Sequence, residues 1–214
     1  MIKISPSVLT ADFLTLKDDI ARLEKAGVDM LHLDVMDGIF VPNISFGVPV
    51  IKSIRQHTDL PLDVHLMIDR PHRYIEEFAK YSDWLGFHYE AGSDNAELLK
   101  RIRELGCKSC ITIKPATAPE CIFDLLPLCD MVLVMSVEPG FGGQKFMPQA
   151  LSKLSALRDE CARRGLNIEL EVDGGINAET APLAAEAGAT VLVAGNYIFS
   201  ADDMAARVKE IKSL

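Results

Sequence analysis

Two histidines and two aspartates stand at positions that could hold a metal ion: His32, Asp34, His65 and Asp173. They fall in three short runs where polar and apolar residues alternate, Leu31-His32-Leu33-Asp34, Asp63-Val64-His65-Leu66 and Glu169-Leu170-Glu171-Val172-Asp173. In a strand, residues two apart share a face. His32, Asp34 and Met36 therefore point one way, Asp63, His65 and Met67 form a second set, and Glu171 and Asp173 a third. Imidazole and carboxylate together suit Zn, Fe, Mn or Co, and the residue types do not choose among them. Any one of these residues alone reads as a hydrogen-bonded polar group in a wet interior. Four together, with common parity and at strand ends, favour the metal.

Glycine supplies the second signal. Glu138-Pro139-Gly140-Phe141-Gly142-Gly143-Gln144, Asp173-Gly174-Gly175-Ile176 and Ala194-Gly195-Asn196 each follow an apolar run. Glycine lets a backbone approach a ligand closely, and helix N-termini present free N–H groups to an anion. A single Gly pair is more often a turn; three clusters on consecutive late loops point to a phosphate. Met36, Met67 and Met135 each end a run. Singly they read as core filler; together they would make a polarisable, water-excluding floor under a substrate that carries spread-out negative charge.

These residues need a scaffold that brings distant strand ends together. Strand-like runs are expected at 2–5, 30–35, 62–67, 84–88, 109–113, 131–135, 168–172 and 190–194. Amphipathic helical patterns lie between them, among them 16–26, 96–105, 150–164 and 201–212, with Gly27, Gly106, Gly165 and Gly188 as stop signals. Strand and helix alternate about eight times at roughly 27 residues per unit, which favours a closed (β/α)8 barrel over an open doubly wound sheet. The expected fold class is α/β: a TIM barrel, with residues 1–214 as a single catalytic domain. The alternating polar residues would face the barrel axis, and their C-terminal members would stand at the mouth where this fold places its chemistry.

Composition removes other classes. With 22 Lys and Arg against 31 Asp and Glu, the net charge is −9, which opposes nucleic-acid and anionic-membrane surfaces. No apolar run is long enough for a transmembrane helix. The first residues do not read as a signal peptide, because the apolar run is short and Asp12 follows it. Five cysteines at irregular spacing do not form a disulfide framework, so a reducing, cytoplasmic compartment is expected. Cys107-Lys108-Ser109-Cys110 closes a helix and enters a strand, the reverse of a redox motif. His57 and His72 read as surface or cap residues and Trp84 as core. His88 ends the fourth strand with no role assigned, and Lys145 either aids the anion or is simply exposed.

The chain resembles the ribulose-phosphate 3-epimerase family over essentially its whole length. The resemblance rests on Ser5-Pro6-Ser7, on His32-Leu33-Asp34-Val35-Met36-Asp37-Gly38 with Phe40-Val41-Pro42-Asn43, and on His65-Leu66-Met67 and Phe87-His88-Tyr89-Glu90. It continues with Val137-Glu138-Pro139-Gly140-Phe141-Gly142-Gly143-Gln144 and Val172-Asp173-Gly174-Gly175-Ile176. It implies a metal-dependent (β/α)8 enzyme that holds one divalent ion, Zn first among the candidates, on His32, Asp34, His65 and Asp173. Asp34 and Asp173 would be the acid/base pair. Ser7 and His65 would contact the substrate, Met36, Met67 and Met135 would lie beneath it, and Gly142, Gly143, Gln144, Gly174, Gly175, Gly195 and Asn196 would take its phosphate end. A small sugar phosphate as substrate and a homo-oligomer as the working form are expected, with no nucleic acid and no membrane.

Inverting C3 beside a C2 ketone removes a proton from one face and returns one to the other, which two groups in opposite protonation states can do. The expected reaction interconverts D-ribulose 5-phosphate and D-xylulose 5-phosphate through a metal-stabilised 2,3-enediolate. One departure is visible: the family's last phosphate loop usually ends Gly-Ser, and here it reads Gly195-Asn196. Asn still donates hydrogen bonds, but the change leaves open a six-carbon ketose phosphate such as D-allulose 6-phosphate. A sugar-phosphate decarboxylase would want a lysine in the second-, third- or seventh-strand motifs, and none is there. A phosphate-sensing barrel without catalysis is the non-enzyme alternative.

Overall fold

The computed structural model describes residues 2–214; Met1, the first residue of the expected barrel, lies outside the described residues. Eight parallel strands alternate with helices. They are β1 (Lys3–Ile4), β2 (Leu31–Met36), β3 (Leu62–Met67), β4 (Trp84–His88), β5 (Lys108–Ile113), β6 (Met131–Met135), β7 (Glu169–Asp173) and β8 (Val191–Val193). The sheet order runs from β1 through β8, β7, β6, β5, β4 and β3 to β2. The ring closes between β1 and β2 by other means than a regular ladder. Pro6 has no N–H to give, so β1 stops early; the Pro6 carbonyl instead accepts the His32 N–H at 3.0 Å, and Ser7 bridges to His32 in parallel. The closure thus runs through two residues of the predicted site.

The faces divide as the alternation predicts. Leu31, Leu33, Val35, Leu62, Val64 and Leu66 join the outer core between strands and helices. Met30, Trp84, Cys110, Met131, Leu133 and Met135 fill the barrel interior, while Met36 and Met67 form a separate cluster with Val41. Between these apolar groups lie the buried His32, Asp34, Asp63, His65 and Glu171.

The helices that cover the ring are α1 (Leu16–Ala26), α2 (Val48–Arg55), α3 (Ile75–Ala79), α4 (Asn95–Glu104), α5 (Gln149–Arg164), α6 (Thr180–Ala187), α7 (Asn196–Phe199) and α8 (Met204–Lys212). Helix α1 buries Leu16, Ile20 and Leu23 and ends at Gly27 in the left-handed region, φ 81°. There the missing Cβ spares the steric cost any other residue would bear. Two expectations need correction. The alternation is not uniform, because the β5–β6 connection is a 3₁₀ run, Pro119–Leu128. Pro127 inside it cannot supply an α-helical hydrogen bond. The last helix begins at Met204 rather than at 201, since the Asp203 side chain accepts the Ala206 N–H and fixes the start there. Strand limits differ from the expected runs by at most a residue or two, most at the short β1 and β8. No helix among the described residues is long and apolar enough to cross a membrane.

The two ends of the C-x-x-C sequence lie on opposite sides of the wall. Cys107 packs in the outer core and Cys110 in the barrel interior, as an odd separation requires. Burial pushes the Cys107, Cys110 and Cys161 thiols up, and Cys129 to about 12; Cys121 alone is exposed. The thiolate is the reactive form. A native thiol titration with an aromatic disulfide reagent should therefore register one fast group per chain, lost in Cys121→Ser, and all five only after denaturation. A second fast thiol in the Cys121→Ser variant would contradict this burial.

Candidate active site

The parallel register of β2 on β3 sets the site. His32 pairs with Asp63, Asp34 with His65 and Met36 with Met67, so like-facing residues stand at matched heights. On the other side, β7 brings Asp173 level with Met135 of β6. Four donor atoms converge. His32 Nε2 lies 3.3 Å from His65 Nδ1, 3.4 Å from Asp34 Oδ1 and 4.0 Å from Asp173 Oδ2, and His65 Nδ1 lies 3.2 Å from Asp34 Oδ1. Donors held about 2.0–2.2 Å from one cation at tetrahedral angles are about 3.3–3.6 Å apart. One atom from each of the four residues falls within 4.8 Å of all the others. Two nitrogens and two carboxylates at these spacings fit a divalent cation.

A second shell supports the four. His32 Nδ1 lies 2.6 Å from Asp63 Oδ2 and 3.7 Å from Glu171 Oε1. Ser7 Oγ donates to Asp34 Oδ2 at 2.5 Å, and Ser45 Oγ donates to the Asp34 carbonyl at 2.5 Å. His65 Nε2 lies 3.0 Å from His88 Nε2. The sequence reading placed Asp63 and Glu171 on the inward face without a role, and left His88 unassigned. Parity marked their direction; only register shows what they touch.

The two aspartates differ in charge state for stated reasons. Burial works against an ionised Asp34, but His32 and His65 outweigh it, and the carboxyl is held well below the usual range. Burial together with the neighbouring charge of Asp34 pushes Asp173 up to about 7. Burial likewise opposes a charged His32, but Asp34 and Asp63 overcome it and raise its pKa. Burial lowers His65, and takes His88 down to about 4. Glu171 is pushed up by burial and by Asp63. One ionised and one protonatable carboxyl therefore face the same space.

That space is a cavity of about 500 Å³ at the C-terminal mouth. Ser7, Asp34, Met36, Met67, Met135 and Asp173 line it. So do Gly142, Gly143, Gln144, Gly174, Gly175, Gly195 and Asn196. His32 and His65 are buried and are not among the lining residues, so His65 does not line the cavity as a substrate contact would. Lys145 also borders the cavity, as do Thr10, Phe146, Asn177 and Tyr197, which the sequence reading did not single out.

Two details add packing duties to the expected roles. Gly174 and Gly175 are needed for loop packing before any ligand is considered. A Cβ on Gly174 would stand 2.4 Å from Val137 Cγ2, and one on Gly175 would stand 2.4 Å from the Phe146 amide nitrogen. Gly143, with φ +72° and nothing near its Cβ position, is the one open to the cavity side. Gln144 donates its amide to the carbonyls of Glu138 and Phe141, at 2.7 and 2.8 Å, so it locks its own loop.

The family model for the ribulose-phosphate 3-epimerase family matches residues 3–199. The ribulose-phosphate 3-epimerase of Bacillus subtilis is 45% identical over 214 residues, covering 99% of both chains. That of Mycobacterium bovis is 47% identical, covering 98% of this chain and 91% of its own, and that of Methanocaldococcus jannaschii 44%, covering 99% and 90%. Among solved structures, a 3-hexulose-6-phosphate synthase superposes with a TM-score of 0.71 at 18% identity, covering 99% of this chain and 98% of that one. A mutant tryptophan synthase α-subunit from Pyrococcus furiosus also gives 0.71, at 14% identity, covering 100% and 98%. These two likenesses speak for the barrel alone. With the family model running over nearly the whole chain and relatives matching end to end, the chain belongs to the ribulose-phosphate 3-epimerase family.

Proposed function

We propose that the chain interconverts D-ribulose 5-phosphate and D-xylulose 5-phosphate, with Asp34 and Asp173 as the acid/base pair. The observation that carries this reading is the placing of two carboxyls, Asp34 and Asp173, on one cavity and in one donor cluster. Asp34 is held ionised, while Asp173 keeps a proton up to about 7. In one direction Asp34 takes the C3 proton, an enediolate forms across C2 and C3, and Asp173 returns a proton from the other face. In the reverse direction the roles exchange. Matching the two groups to the working pH is what general acid–base catalysis asks for.

His32, Asp34, His65 and Asp173 would hold one divalent ion, Zn first among the candidates, which when bound supplies Lewis-acid stabilisation of negative charge on the substrate oxygens. Ser7 keeps Asp34 Oδ2 hydrogen-bonded and so fixes the carboxylate plane. Met36, Met67 and Met135 keep water from the reacting carbons. At the other end of the cavity the loops with Gly143, Gly175, Gly195 and Asn196 would take the phosphate and set the orientation. The exposed Asn196 leaves a six-carbon ketose phosphate such as D-allulose 6-phosphate as the second reading. A cytoplasmic compartment accords with five free thiols. A homo-oligomer accords with the exposure of Leu14 and Phe13, and sedimentation would settle that assembly.

Proton NMR of ribulose 5-phosphate with the protein in D2O should show deuterium entering C3 as xylulose 5-phosphate appears. Chelation should stop both, and added Zn²⁺, Mn²⁺ or Co²⁺ should restore them. No exchange with any of these ions would sink the reading for the pentose. Asp173→Asn should fold and lose about 10²–10⁴-fold in kcat; a near-normal kcat would refute the two-carboxyl scheme. Gly143→Asp suits the left-handed backbone there and places a carboxylate in the phosphate end. It should raise KM about tenfold or more, the effect of about 1.4 kcal/mol of repulsion. An unchanged KM would move the phosphate elsewhere.

A further inference from the structure

We infer that His88 is a positioning residue for His65, and that Glu90, facing the other ring nitrogen of His88, in turn fixes it, so that one directed chain of polar contacts sets the tautomer and ring angle of a metal ligand. The inference rests on the reading of His32, Asp34, His65 and Asp173 as a metal centre.

With His65 ligating through Nδ1, one assignment of protons follows. His65 turns Nδ1 toward Asp34 Oδ1, at 3.2 Å, and toward His32 Nε2, at 3.3 Å. As a neutral ligand through Nδ1 it must carry its proton on Nε2. That nitrogen faces His88 Nε2 at 3.0 Å, which must then accept. With Nε2 accepting, His88 carries its own proton on Nδ1, and the group facing Nδ1 is Glu90 Oε2 at 3.4 Å. His88 Nδ1 and Glu90 Oε2 are both buried, and neither makes a hydrogen bond; they face each other at ion-pair distance.

Glu90 is itself held. Its Oε1 accepts the Lys114 N–H at 2.9 Å and the Thr117 hydroxyl. The loop that carries these donors is pinned by Lys153, whose Nζ donates to the carbonyls of Lys114, Pro115 and Thr117 at 2.9, 2.6 and 2.6 Å. Phe40 packs over the His88 ring with centroids 4.8 Å apart, and the Lys114 ammonium lies 3.8 Å from the Phe40 centroid on the same stack. His88 therefore sits in a pocket that fixes its plane from two directions. Partners of this kind, which orient a ligating imidazole, are typically worth about 10–100-fold in metal affinity.

Two measurements test it, with Co²⁺ alone as the probe. The parent chain, His88→Phe and His88→Gln are compared by chelator competition and by visible absorption of the Co²⁺ complex. Phenylalanine keeps the stack on Phe40 and removes the acceptor; glutamine keeps a carbonyl acceptor and an amide donor. His88→Phe should bind Co²⁺ about 10–100-fold more weakly with a changed spectrum. His88→Gln should recover most of the affinity. Equal affinity and an unchanged spectrum for His88→Phe would overturn the inference, since a filler residue would behave that way. Should His88→Phe not fold, the parent decides. In Zn²⁺-loaded protein with ¹⁵N-labelled histidine, long-range ¹H–¹⁵N spectra should show His65 protonated on Nε2 and His88 on Nδ1. The Nε2–H form of His88 would overturn the chain as drawn. If the parent binds neither ion, the metal-centre reading fails first, and this inference falls with it.

Discussion

His32 has a carboxylate against each ring nitrogen, Asp63 on Nδ1 and Asp34 on Nε2, with no exposure to water. Imidazole and carboxylate groups in such a place are tolerable only when each is partnered, because removing one partner leaves the other uncompensated at a cost of about 3–5 kcal/mol. The surrounding structure follows from that demand. The β2–β3 register must hold His32 level with Asp63 and Asp34 level with His65. The ring must close at His32, whose backbone N–H meets Pro6 and whose bridge partner is Ser7. Glu171, the third carboxyl in the layer, is relieved of its charge by burial and by Asp63.

The same layer explains why two aspartates of equal intrinsic acidity end up different. Asp34 is met by His32, His65 and the Ser7 hydroxyl. Asp173 feels the charge of Asp34 and meets His32 only at 4.0 Å. Like charges in one desolvated space do not both ionise, and the better-partnered one keeps the negative charge. The difference that the proposed two-sided proton transfer would need thus comes from the placement of imidazoles rather than from the carboxyls. With a cation among the donors the titrations become those of the group as a whole.

What the sequence made legible is what a period of two can carry. The alternation of Leu31-His32-Leu33-Asp34 and its two counterparts gave the inward face, and the mouth position of Met36, Met67 and Asp173 followed from strand ends. What it could not carry is pairing across strands. Asp63 and Glu171 lie on the expected face, but their meeting at His32 depends on the β2–β3 register for Asp63 and on closure of the ring for Glu171. His88 closes a run with no alternation to flag it, Trp84-Leu85-Gly86-Phe87-His88, since Gly86 shows no side chain at the position where polarity would register. The 3₁₀ connection at Pro119–Leu128 was announced by its prolines, but eight regular repeats hid it. Gly174 and Gly175 line the cavity as expected, and the sequence does not show that they also pack against Val137 and Phe146, because close approach to a ligand and close approach to a neighbouring loop ask for the same residue.

Those close approaches tie the two ends of the cavity together. The loop after β7 interlocks with the loop after β6 through Gly174 and Gly175. The loop after β8 interlocks with the chain after β1 through Gly195, where a Cβ would meet Thr10 Oγ1 at 2.9 Å, the Ser7 carbonyl at 3.2 Å and Ser7 Cβ at 3.3 Å. Ser7 is also the residue whose hydroxyl holds Asp34. One residue therefore touches both the loop that carries Asn196 and the carboxylate at the other end of the cavity. A side chain at 195 would move Ser7, and with it the donor that fixes the Asp34 plane. Reacting groups must be placed to within a fraction of an ångström for orientation to lower a barrier. The absence of a side chain at Gly195 thus serves the carboxyl pair as directly as it serves the neighbouring loop.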